Sequence, residues 1–203
     1  LRDFSIVGGW IDDVDRVESP NHGGVLVPDL IIMHYTAGAS AQSTAEWFQN
    51  TTPGKRRSAH VVIGRDGRVV QCVDFRHQAW HAGLGSWRGR GNCNRYSVGI
   101  ELANWGHLQI ADGGYVSHVG TPVGADRVTW APHKLTGDLE SPWERFTNAQ
   151  LIAALDVCRA LLMVCPSISD IVGHDDVDPE RKRDPGPLFP LATFRCLLFG
   201  KRE

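Results

Sequence analysis

A mixed α/β fold is what this sequence predicts: a central mixed β-sheet flanked by helices, in a single domain with one long insertion. Short apolar runs of strand length recur at 30–35, 61–63, 69–70 and 97–103. Arg65-Asp66-Gly67 separates two of them and is a strong hairpin signal. Apolar residues then recur at helical spacing over 148–163. Strands alternating with helices lead to a layered α/β arrangement.

Taken in order, residues 1–29 are punctuated by glycine and proline and are expected to wrap the domain. Leu30-Ile31-Ile32-Met33, bounded by Pro28 and Gly38, reads as a buried strand. His34 follows at its C-terminal edge, where open α/β sheets place ligands. The alternative for His34 is a core histidine bonded to backbone. Tyr35 is expected on the opposite face, without chemistry. Ser43 to Gln49 reads as a helix. His60 alternates with Val61 and Val62 and is read as packing.

In the strand 97–103, Val98, Ile100 and Leu102 share one face, while Ser97, Gly99, Glu101 and Ala103 share the other. A buried carboxylate without a partner is costly. Glu101 is therefore a general base, a metal contact or half of a buried ion pair. Thr147 and Gln150 form a capping-box signature. Leu151, Leu155, Cys158 and Leu162 follow at helical spacing. An extended segment is expected over 168–172 and a final helix over 191–199.

His174 through Pro187 places a histidine, Lys182 and Asp184 on one short segment, with Pro185 and Pro187 stiffening its exit. Such a loop can supply two ligands to zinc, a third coming from elsewhere and one position staying open. The bland alternative is a solvated charged loop.

Five cysteines lack the Cys-x-x-Cys spacing of a structural zinc site. Cys158 and Cys165 on one helix would lie about 10 Å apart, too far for an unstrained disulfide. Reduced cysteines are expected, which favours cytoplasmic synthesis, with export to the periplasm or cell wall as the alternative. The chain starts at Leu1 without a visible signal peptide, and one removed earlier would leave no trace. A net charge of -2 over 203 residues, with 42% hydrophobic residues, points to neither a nucleic-acid groove nor a membrane anchor. A monomer is the expected state.

Five segments occur together and in order: His34-Tyr-Thr-Ala, Ser58-Ala-His-Val-Val-Ile-Gly-Arg-Asp-Gly67, Ala79-Trp-His81-Ala-Gly83, Asn94-Arg-Tyr-Ser-Val-Gly-Ile-Glu101-Leu, and Gly173-His174 through Lys182-Arg-Asp184-Pro-Gly-Pro187. Over roughly Leu30 to Phe194 the chain resembles the type-2 N-acetylmuramoyl-L-alanine amidases, a family that includes phage endolysins and peptidoglycan recognition proteins. The likeness is strongest to its bacterial AmpD/AmiD group. The resemblance implies one zinc ion per chain, held by His34, His174 and Asp184. It implies Glu101 as general base and Lys182 as a stabiliser of the oxyanion. It also places Trp80, His81 and Asn104 near substrate. Some members carry an active-site tyrosine where this chain has Ala59, so the base role falls to Glu101. The bond implied joins N-acetylmuramic acid to L-alanine in peptidoglycan or muropeptides; residue chemistry alone supports metal-assisted amide hydrolysis. A non-catalytic peptidoglycan-binding module and a zinc peptidase acting within the stem peptide are the alternatives.

One segment departs from a compact member. Residues 105–146 are rich in glycine and proline and contain Trp105, Trp130 and Trp143. Ordered long loops are usually functional. The insertion is expected at the cleft rim, setting substrate choice, with zinc binding independent of it. The alternative is a surface excursion whose tryptophans cap the core. Its histidines, His107, His118 and His133, fit no compact ligand spacing.

Overall fold

The computed structural model describes residues 2–200. Leu1 and 201–203, which the expected single domain of 1–203 includes, lie outside the described residues. The centre is a six-stranded sheet of β1 (Asp15–Arg16), β2 (Leu30–Tyr35), β3 (Val61–Ile63), β4 (Val69–Gln71), β5 (Ser97–Leu102) and β6 (Asp170–Gly173), in spatial order β6-β2-β5-β3-β4-β1. β6, β2, β5 and β3 run parallel. β4 returns antiparallel to β3 through the predicted Arg65-Asp66-Gly67 turn. β1 pairs in parallel with β4 as an edge strand. The N-terminal segment, expected as a wrap, therefore also contributes to the sheet. Two residues were too few to register as a strand in sequence.

Strand alternation divides the sheet into two faces. Ile31, Met33, Val61, Ile63, Val98, Ile100 and Leu102 face one way and are buried against α2 (Asn148–Val164) and α4 (Leu191–Phe199). Ala153, Val157, Cys158, Leu161 and Phe194 supply the helical side of this core. On the opposite face Val62 and Val70 pack on Ala41, Ala45 and Phe48 around α1 (Ala41–Trp47). Leu30 and Ile32 pack there on Ala82, Cys93 and Val177. This second face is the one that carries His34 and Glu101. All five cysteines are free thiols. Among the described residues no helix is long and apolar enough to cross a membrane.

Local signals account for the helix starts. Thr147 Oγ1 accepts from Gln150 N at 3.1 Å, and Gln150 Oε1 accepts from Thr147 N at 3.2 Å, forming the predicted capping box. Gln150 Nε2 also donates to Ala103 O at 2.8 Å, tying α2 to the chain just beyond β5. α1 begins at Ala41, two residues before its expected start, because Ser40 is the cap and accepts from Ser43 N.

Residues 105–146 form two small sheets. Gln109–Ala111, Gly114–Val116 and Pro122–Val123 make a three-stranded antiparallel sheet. Val128–Pro132 pairs with Glu140–Glu144. Trp105, Leu108 and Val123 are buried together as a small core. Trp143 is also buried, whereas Trp130 is 44% exposed. Glu144 anchors the insertion to the main sheet. Its two carboxylate oxygens accept from Arg65 Nε and Nη2, each at 2.8 Å, and it also accepts from Arg127 and from Trp105 N.

Burial acts to raise the Glu144 pKa, but Arg65, the Trp105 N–H and Arg127 outweigh it and hold the carboxyl below its ordinary 4.5. A carboxyl lowered in the folded state stabilises above its unfolded pKa, and that contribution is lost as pH falls through the folded value. Glu144→Gln should therefore cost on the order of 2 kcal/mol at pH 7. The gap to the parent should narrow as the pH drops below about 4.5. Urea midpoints between pH 7 and pH 3 measure this; a gap that stays constant would show that charge at Glu144 contributes nothing.

Candidate metal centre and cleft

The parallel register aligns His34 on β2 with Glu101 on β5, and Glu101 with Val62 on β3. His34 and Glu101 therefore leave neighbouring strands at the same height. β6 runs directly into α3 (His174–Val177), which puts His174 in its first turn. A Cβ at Gly173 would lie 2.2 Å from Asp175 Oδ1 and 2.7 Å from Pro185 Cδ. Only glycine lets the segment carrying Asp184 fold back this closely.

Three donor atoms converge there. His34 Nδ1 lies 2.9 Å from His174 Nδ1 and 2.9 Å from Asp184 Oδ2. His174 Nδ1 is 2.9 Å from the same carboxylate oxygen. All three residues are buried. Atoms this close match one face of a coordination shell with bonds of about 2.0–2.2 Å. His174 Nε2 is buried without a hydrogen-bond partner among the described residues.

The ring tautomers suit a ligand role. His81 Nε2 lies 3.4 Å from Ser97 O, an atom that only accepts. With its proton there, His81 Nδ1 accepts from His34 Nε2 at 3.0 Å. The lone pair of His34 is then on Nδ1, facing the other two donors. Burial, then the neighbouring His174, lowers the His34 pKa to about 4 and keeps the ring neutral. Burial opposes ionisation of Asp184, but the adjacent His174 and His34 imidazoles outweigh it and hold the carboxyl well below the usual carboxylate range.

Glu101 behaves in the opposite way. Burial first, then the charge of Asp184, raises its pKa to about 8, with Lys182 acting to lower it. Its Oε2 is buried and has no partner among the described residues. A carboxyl poised near neutrality, in the same cleft as the three donors, can accept and return a proton.

The cleft in front of these groups has a volume of about 810 Å³ and is lined by His34, Glu101, His174, Lys182, Asp184, Trp80 and His81. Arg56, Arg57, Arg181 and Arg183 add positive charge to its walls. Trp47 on α1, which sequence reading did not select, lines the same cleft and is 46% exposed. Tyr35 also lines it, although alternation alone assigns it to the other face. At the strand end its ring lies against Gly106, where a Cβ would meet the ring at 2.2 Å.

Two expectations, for Asn104 and for the insertion, are corrected. Asn104 is buried and does not line the cleft. Its Nδ2 donates to Glu144 O and Arg145 O, and its Oδ1 accepts from Gly106 N, so it secures the insertion. His81 lines the cleft as expected of a residue near substrate, and both its ring nitrogens are engaged within the protein. None of the cleft-lining residues comes from 105–146, so the insertion is not at its rim. His60 is a packed histidine as expected: its Nδ1 accepts from Gly99 N and its Nε2 donates to His77 O.

Sequence reading also missed Gly99. A Cβ there would lie 2.4 Å from His81 Cγ, so glycine is what admits the ring onto the strand. A glycine inside a strand was the available signal.

A family model described as N-acetylmuramoyl-L-alanine amidase matches residues 25–187. The chain is 31% identical over 209 residues to the 1,6-anhydro-N-acetylmuramyl-L-alanine amidase AmpD of Escherichia coli (strain K12), covering 94% of each chain. It is 43% identical over 175 residues to N-acetylmuramoyl-L-alanine amidase A of Achromobacter lyticus, covering 84% of this chain and 82% of the relative. The crystal structure of a selenomethionine derivative of AmpD superposes with a TM-score of 0.68 at 30% identity, covering 95% of this chain and 98% of that one.

Alanine at His34, His174 or Asp184 should each abolish stoichiometric zinc binding, read by metal analysis after dialysis. Full occupancy in any one would remove that residue from the ligand set. Gly99→Ala should displace His81 and weaken zinc binding about 10–100-fold, the usual effect of disturbing a ligand's supporting partner. An unchanged dissociation constant would show that His81 does not hold His34.

Proposed function

The chain belongs to the N-acetylmuramoyl-L-alanine amidase family, and from that membership and the convergent donors we propose that it hydrolyses the amide between N-acetylmuramic acid and L-alanine in peptidoglycan or its muropeptides, using zinc held by His34, His174 and Asp184. One observation carries the reading. A donor set of two imidazoles and one carboxylate stands beside a carboxyl whose pKa is raised, on the adjoining strand and in register with the first ligand.

When bound, zinc supplies Lewis-acid polarisation of the scissile carbonyl and makes water nucleophilic at neutral pH. Glu101 takes a proton from the attacking water and delivers it to the amine nitrogen as the C–N bond breaks. The products are the muramic carboxylate and a peptide with a free L-alanine amino group. Lys182, close enough to Glu101 to lower its pKa, offsets negative charge building on the carbonyl oxygen. His81 keeps His34 in the coordinating tautomer. Trp80 and Trp47 offer flat faces along the cleft, and its four arginines suit the carboxylates of a peptide stem.

Glu101→Gln should keep full zinc content and lose about 10²–10⁴-fold in turnover. Mass spectrometry of muropeptide digests reads both the rate and the bond cut. Intact stem peptides with a free L-alanine amine support the amidase reading; cleavage within the stem would make the protein a peptidase. Native-rate turnover by Glu101→Gln would leave Glu101 a structural residue.

A further inference from the structure

The insertion that does not reach the cleft reaches the back of the ligand segment instead. Beyond the strand Val128–Pro132, His133 is 1% exposed and its ring stacks on Trp143, with centroids 5.5 Å apart and planes at 23°. Leu135 N donates to His133 Nδ1 at 3.1 Å, which places the ring proton on Nε2. That N–H points at Asp175 Oδ2, 3.0 Å away, and at Arg183 O, 3.1 Å away. Lys134 Nζ donates to Asp175 Oδ1 at 2.9 Å and also reaches Asp176. Asp175 N in turn donates to Asp184 O at 2.8 Å. Trp143 covers Gly186, where a Cβ would lie 3.0 Å from its ring.

These contacts fall on both sides of the two ligands that the segment carries. Asp175 follows His174, while Arg183 and Gly186 flank Asp184. His34 is fixed separately by the sheet. Asp175 is 3% exposed, so a partner removed from it leaves a buried, desolvated acceptor.

We propose that His133, backed by Lys134 and Trp143, is a positioning residue for the metal centre: through Asp175 and the Arg183 carbonyl it holds His174 and Asp184 at coordinating distance from His34. The insertion thereby sets metal affinity, the reverse of the independence its sequence suggested. The proposal rests on the zinc reading above.

Zinc dissociation constants of the full chain, measured by chelator competition, test it. His133→Ala should bind about 10–100-fold more weakly. His133→Gln, which can present an amide N–H towards Asp175, should recover most of that loss. Lys134→Ala, at a half-exposed position, should weaken binding several-fold. Val123→Ala, in the small core of the insertion, should leave the constant unchanged. In metal-free protein, hydrogen exchange over 174–186 should be faster in His133→Ala than in the parent. A folded His133→Ala with the parent's zinc affinity overturns the proposal, as does an equal loss in Val123→Ala. If His133→Ala does not fold, Lys134→Ala decides: weakened binding supports the proposal and unchanged binding overturns it. A parent that binds no zinc would sink the amidase mechanism, and the exchange comparison would still judge whether the hairpin holds the segment.

Discussion

The parallel pairing of β2 with β5 is the constraint on which the rest depends. It puts His34 and Glu101 at one height on one face, and the alternation of the same strands sends Met33 and Ile100 into the opposite core. A slip by one residue would exchange the two faces, burying both polar groups among apolar helices. The large core under α2 thus fixes the register, and the register fixes the chemistry. Precision at the centre is inherited from apolar packing on the other side of the sheet.

Around that register, burial does different work at each group. It keeps His34 neutral and lifts the Glu101 pKa to about 8, whereas at Asp184 the neighbouring imidazoles overcome it. Glu101 is thereby set apart from His34 and Asp184, which give up their protons at far lower pH. Catalytic sites commonly separate the roles of their groups in this way.

Legibility in the sequence followed distance along the chain. Local signals were read well: the Asp66-Gly67 turn, the Thr147 cap, and the alternation that puts Glu101 opposite Ile100. The family resemblance implies His34, His174 and Asp184 as one ligand set, and their side chains meet. What failed were inferences about long-range placement. Asn104 lies close to Glu101 in sequence, yet its amide is committed to Glu144 and Arg145 some forty residues later. The tryptophans of 105–146 read as binding faces, but an insertion this large has to bury something of its own, and Trp105 and Trp143 are what it buries. His133 had no local ligand pattern because its partners, Asp175 and Arg183, lie 42 and 50 residues away.

The distance between the donors has a consequence for how the molecule comes into being. His34 and His174 are separated by 140 positions, and β6, which delivers His174, pairs with β2 across that separation. The edge strand and its ligand segment thus leave the ribosome well after β2. Until they dock, His34 faces an open sheet edge and no donor set exists to retain a cation. Closing so long a loop is entropically slow, and the rate of folding falls as such non-local pairings dominate. An ion held by the proposed donor set would join β2 to the segment that follows β6, its neighbour in the sheet, and would stabilise only the folded arrangement. Hydrolytic competence is in this sense a late event of folding, withheld until the sheet is whole.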